Sequence, residues 1–304
     1  MKKVSTIRLF IILVVLLLIY GLSEYLSNTG RSKSLRNVLV TIDPEAVTQI
    51  VISSEGKTTT ISKKELEWYV SNGDYEFKAD ADKVSNAVST LQTIIPSRIA
   101  TRNPEKWKEF QVDSSGVRVS VMEGNEKSLD IILGRFGMQG QQFHTYVRLY
   151  DENDVYVANN FMSFSLPGNS NGYRNGKVVS IAADSIKSIN FQYNDSSFML
   201  IQSLNGGWLA DQESVDSVKV SSYFNTLKNK ISSSFYEGDP GTTINQDIGL
   251  EVLLISNRKI TISAQVSGDG LLIQSSTNKD ALFTDPSLFD QLFISKSSLL
   301  SDQN

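Results

Sequence analysis

The chain has no cysteine and only one histidine, His144. The first absence removes disulfides, thiolate metal sites and cysteine nucleophiles together. It also removes the lipid-modified cysteine of a lipoprotein, so any membrane attachment has to come from a peptide segment. With one histidine there is no material for histidine-rich zinc sites or paired-histidine catalysis. The formal net charge is −4 with no long basic run, so no nucleic-acid partner is expected. No residue pattern calls for a cofactor. What is present is a globular composition, 40% hydrophobic and 20% charged. A chain of 304 residues suffices for one large domain or two ordinary ones with their own cores.

The first residues stand apart. Lys2, Lys3 and Arg8 precede an apolar run of Leu9, Phe10, Ile11, Ile12, Leu13, Val14, Val15, Leu16, Leu17, Leu18, Ile19, Tyr20, Gly21 and Leu22. As a helix this run is about 21 Å long, against a hydrocarbon core of roughly 30 Å. A cleaved signal peptide has this charge pattern, with Gly21 and Ser23 as small residues before a cut. An uncleaved anchor reaches full length if Val4–Ile7 and Tyr25-Leu26 join it and Arg8 snorkels to the headgroups. The anchor is the expectation adopted. It puts the N-terminus in the cytoplasm and the body outside, in a single pass of the inner or cytoplasmic membrane. The stretch from Ser27 to Arg36, SNTGRSKSLR, reads as a polar tether.

The body is self-similar. Val47-Thr-Gln-Ile50-Val-Ile52 and Ile186-Lys-Ser-Ile189-Asn-Phe191 both alternate apolar and polar positions, as a strand with one buried face does. Trp68 and Trp208 follow in equivalent places. Two helices come next, beginning Lys83-Val-Ser and Lys219-Val-Ser. Their apolar stripes are Val84, Val88, Leu91, Ile95 and Val220, Phe224, Leu227, Ile231. Asp80 and Asp216 stand at the N-cap positions, and Pro96 is expected to stop the first helix. Strands resume with Val117, Val119, Val121 in one copy and Leu250, Val252, Leu254 in the other. The expected fold class is α+β: an N-terminal transmembrane helix, then a duplicated antiparallel-sheet unit with one covering helix per copy. The divisions are residues 1–26 (tip and anchor), 27–38 (tether), 39–166 (first repeat), 167–183 (linker, holding the breaker cluster Leu166–Gly172 at its start) and 184–304 (second repeat).

These landmarks resemble a bacterial family, the domain-of-unknown-function family numbered forty-three-forty. The resemblance rests on the short membrane segment, strands ending at a tryptophan, and the Ala79-Asp80-Ala81-Asp82 helix start. It extends through Phe110-Gln-Val-Asp113, Ile132-Leu-Gly134, Tyr146-Val-Arg148, Val155-Tyr-Val157 and Tyr173-Arg-Asn-Gly-Lys-Val-Val179. It departs at Phe110, where the family has tyrosine-glycine-leucine. The resemblance implies an extracytoplasmic accessory subunit encoded beside ABC-type transporters of the gliding-motility or exporter kind, and it carries over no catalytic residues.

Four groups of residues invite a chemical reading, and each has a plainer one. Gly134-Arg-Phe-Gly137-Met-Gln-Gly140 is glycine-rich, but a phosphate cradle needs its glycines entering a helix, and these lie between strands, as in a flexible hairpin connection. His144 on an alternating strand has no partner in the sequence that would make it a general base. Asp80, Asp82, Asp151, Glu152 and Asp154 lack the ligand spacing of a calcium loop and fit a helix cap and a turn. Trp68 and Trp208 fit core positions better than sugar platforms. The expected role is therefore a non-enzymatic, membrane-anchored accessory subunit whose partners are the bilayer and the membrane subunits of an ABC-transporter-type complex. A binding module for envelope polysaccharide or cell wall is the alternative, with an envelope hydrolase more remote.

Overall fold

The structure is a computed structural model that describes residues 35–203, 206–246, 248–267 and 270–301. The expected anchor, Leu9 to Leu22, lies outside the described residues. Among those described, no helix is long and apolar enough to cross a membrane.

Alternating apolar residues build two antiparallel sheets. The first unit runs β1 (Val40–Thr41), β2 (Val47–Ser54), β3 (Lys57–Lys64), β4 (Glu67–Ser71), β5 (Glu76–Lys78), helix α1 (Ala81–Leu91) and β6 (Thr93–Ile94). It continues through β7 (Pro96–Thr101), a one-turn helix α2 (Trp107–Phe110), β8 (Val117–Glu123), β9 (Glu126–Gln139), β10 (Gln142–Leu149) and β11 (Val155–Asn159). The second unit runs β12 (Lys177–Val179), β13 (Ile186–Gln192), β14 (Ser197–Gln202), β15 (Trp208–Ala210), β16 (Glu213–Ser214), α3 (Ser217–Lys228) and β17 (Lys230–Ile231). It ends with β18 (Ile248–Leu254), β19 (Lys259–Ser267), β20 (Gly270–Ser275), β21 (Asn278–Phe283) and α4 (Pro286–Leu292).

The first sheet has the order β5-β4-β3-β2-β8-β9-β10-β11-β7, and the second β16-β15-β14-β13-β18-β19-β20-β21. Apart from β7 the two orders are the same, and each unit adds a two-stranded ribbon, β1 with β6 or β12 with β17. The body is thus mostly sheet with few helices, and its two large antiparallel sheets are compatible with the α+β class.

The correspondence extends to the caps. Asp80 accepts hydrogen bonds from the Asp82 and Lys83 N–H groups, and Asp216 from those of Val218 and Lys219. The chain then returns to each cap in the same way. Asp80 N–H donates to Tyr173 O and Lys83 Nζ to Arg174 O. Asp216 N–H donates to Leu299 O and Lys219 Nζ to Leu300 O.

Two helix expectations need correction. Ile95 and Ile231 do not finish the apolar stripes; both are exposed. The helices end at Leu91 and Lys228, and the residues that follow leave the helical path to pair with β1 and β12. Pro96 stops no helix and opens β7 instead. Ala87 and Tyr223 complete the buried stripes. The physical reason is that β1 and β12 need strand partners for their backbone groups, and pairing outweighs one more helical turn.

Each unit has its own core, with Leu91 fully buried in the first and Leu227 in the second. The breaker cluster between them is packed: Leu166 and Tyr173 are buried in the first core. Next to Tyr173, Arg174 is 2% exposed and lies between the rings of Phe77 in the first unit and Phe235 in the second, at 3.9 and 4.3 Å. Its Nη1 donates to Tyr236 O at 2.8 Å.

Candidate functional site on the β9–β10 hairpin

The glycine-rich stretch is not a flexible connection. Gly134 and Gly137 lie inside β9, and only Gly140, at φ +64°, occupies the turn. Tight packing explains the first two. A Cβ on Gly134 would sit 2.3 Å from the Phe110 carbonyl oxygen and 2.5 Å from Val112, because the α2 segment lies directly against this strand. A Cβ on Gly137 would meet the imidazole of His144 at 2.9 Å. Between the β9–β10 pairs Phe136–Thr145 and Leu133–Val147, Gly134 and Arg135 together oppose Tyr146, a β-bulge.

The obstacles at the two glycines differ, and so should the outcomes. Gly134→Ala drives a methyl into backbone and is expected to cost about 1–3 kcal/mol in a denaturant melt. Gly137→Ala should cost less, because an imidazole can turn aside where a carbonyl cannot.

His144 is buried opposite Gly137 and meets Tyr146 edge to face at 5.2 Å, with Tyr146 4.7 Å from Phe110. It is a packing residue on an aromatic row. The remaining sequence candidates disperse. Asp80 caps α1, and Asp82 sits exposed in its first turn. At the β10–β11 turn, Glu152 pairs with Arg36 at 2.5 Å and Asp154 with Arg102 at 3.4 Å, while Asp151 is exposed. Trp68 and Trp208 are half-buried against their own cores, Trp208 edge-on to Phe224 at 4.9 Å. No group of three or more side chains suited to holding a metal ion occurs among the described residues.

What the hairpin does offer is an apolar surface. Beyond the bulge, Phe136 stacks on Phe143 at 6.2 Å and meets Phe164 edge-on at 5.2 Å, while Met138 pairs across the ladder with Phe143. Phe164 is 66% exposed and Met138 68%. The two copies differ here in strand length. β9 has 14 residues, about 46 Å. The corresponding strand β19 has 9 residues. The first hairpin is therefore the longer one, and Phe136 and Met138 lie in its outer part. Of this patch, the glycine stretch read from the sequence contained Phe136 and Met138, but as parts of a connection rather than of a surface. Phe143 and Phe164 were not read as part of it, since an isolated apolar residue near a turn is common.

These features define a two-unit, antiparallel-sheet protein whose most distinctive surface is an exposed aromatic and methionine patch. A family described only as a domain of unknown function, DUF4340, matches residues 68–250, more than half of the chain, and the protein belongs to that family. The match begins at Trp68 in β4 and ends at Leu250 in β18, so it takes in parts of both units. No curated protein and no solved structure matches the chain.

Proposed function

We propose that the protein is a non-enzymatic, membrane-anchored extracytoplasmic subunit of an ABC-transporter-type membrane complex, with the β9–β10 patch as its docking surface. The patch is the observation that carries this reading. Contiguous exposed aromatics and methionines mark interaction surfaces, and such side chains are enriched at the centres of interfaces. The apolar run from Leu9 to Leu22 supplies the anchor, and the tether after it leads to Arg36, held by Glu152 at the β10–β11 turn. That turn and the hairpin tip lie at opposite ends of β10, whose 8 residues span about 26 Å. The patch is therefore held apart from the point where the tether joins the body.

The test is extraction of the tagged full chain in mild detergent. ATPase and membrane subunits of a transporter are expected to co-purify with it. A Met138→Ser/Phe164→Ser variant should melt like the parent yet recover roughly tenfold less partner, as loss of an aromatic anchor worth about 1.4 kcal/mol or more implies. Intact mass should show residues 1–26 retained. A membrane fraction in which the chain has no integral-membrane partner overturns the proposal.

A further inference from the structure

A cleft of about 420 Å³ opens on the face of the first sheet away from α1, between the β2–β3 turn and the α2 segment. That volume is within the roughly 300–1,000 Å³ usual for small-molecule sites. Arg148 lines it and is only 4% exposed. Its Nε donates to Val112 O at 3.0 Å, and its Nη1 to Tyr150 O at 2.7 Å and Glu152 O at 3.0 Å. The guanidinium lies 3.8 Å from the centre of the Trp107 ring. It forms no ion pair among the described residues, and its Nη2 donates to nothing there. Nη2 is nevertheless not sealed in, because Tyr173 Oη is the only fully buried side-chain polar atom without a partner among the described residues.

An unpaired buried cation is costly, and a ligand anion that reaches it removes the cost. The neighbouring arginine is already engaged on a ring and a carboxylate. Arg118 stacks at 3.3 Å on Tyr150 and is held by two hydrogen bonds of 2.8 Å to Asp130, a carboxylate it shares with Lys127. Two carboxylates also line the cleft. Asp113 accepts from the Ser115 N–H and hydroxyl, and Glu55 sits at the exposed β2–β3 turn. Carboxylates at a rim accept hydrogen bonds from hydroxyl groups, while Trp107 and Tyr150 supply ring surface.

From this combination we infer that the cleft binds a carboxylate-bearing sugar, its carboxylate on Arg148 and its hydroxyls toward Asp113 and Glu55. The site needs no transporter partner and shares no residue with the hairpin patch, so the two proposals fail separately.

The experiment titrates sodium glucuronate into the full chain in a neutral detergent, read by calorimetry and by the indole N–H cross-peak of Trp107. Glucose and inorganic phosphate serve as the uncharged ring and the ringless anion. Glucuronate is expected to bind and move the Trp107 signal, with the other two far weaker. Arg148→Met should abolish binding, but it removes four hydrogen bonds to backbone carbonyls and its folding is at risk. Ser114→Glu, at an exposed position lining the cleft, sets a fixed negative charge in its mouth and should weaken binding at least about tenfold without lowering the melting temperature. Absence of binding, or binding untouched by Ser114→Glu, overturns the site. Equal affinity for glucose overturns the role of the charge, and equal affinity for phosphate overturns the sugar.

Discussion

Replacing Leu227 with aspartate unfolds the second core, and Leu91→Asp does the same to the first, each at a cost of about 3–5 kcal/mol. Both side chains are fully buried, at equivalent places on α3 and α1. An aspartate there loses the packing of a leucine and carries either an unsolvated charge or a neutral acid with no acceptor or donor arranged to meet it. The surroundings offer no rescue. Around Leu227 the core is built from residues such as Val220, Phe224, Leu250 and Val252, and around Leu91 from Val84, Val88 and Ile94. Chemical denaturation followed by circular dichroism measures the effect. Variants that melt like the parent would mean that the helices do not cover the sheets.

The second large effect is expected at the joint. Arg174→Ala should lower stability by about 2–4 kcal/mol and split a single calorimetric unfolding transition into two. Arg174 touches Phe77 from one core and Phe235 from the other, so its removal cuts contacts to both units at once. The Tyr236 carbonyl also loses its donor. Burial pulls the guanidinium pKa down to about 10, which still leaves it charged at neutral pH. The charge is thus available for both ring contacts. Arg174→Lys is the informative control. Lysine keeps the charge but lacks the planar fork that lies between two rings and donates sideways, so it should restore little. If the alanine variant keeps one transition at the parent's midpoint, the units are coupled elsewhere. The remaining polar links include Asn72 to Glu237 O and Asn171 to the Glu237 carboxylate, both exposed and of small expected worth.

Much of the frame was legible before any fold was seen, because it rests on local rules. A period of two identified the strands at Ile50 and Ile189, and a period near 3.6 identified the helices at Val84 and Val220. Asp80 and Asp216 were readable as caps because the acceptor and the N–H groups it serves lie two and three residues apart. Resemblance to the family was legible for the same reason, since its landmarks are structural residues in sequence order. Local rules misplaced the helix ends at Ile95 and Ile231, where pairing with a strand some 50 residues earlier decides the conformation.

The sequence by itself determined the absent chemistries, the strand and helix periods, the caps and the repeat. Only the tertiary structure decided which side chains act together. It placed Arg148 beneath the Val112 carbonyl, 36 residues away, and Arg174 against Tyr236, 62 away. It also turned a supposed glycine loop into a strand pressed against Phe110, and set Phe164 beside Phe136. Periodicity tells a side chain which face it occupies. What lies across that face depends on strand order, bulges and the lengths of the paired strands, and these arise only when distant segments meet.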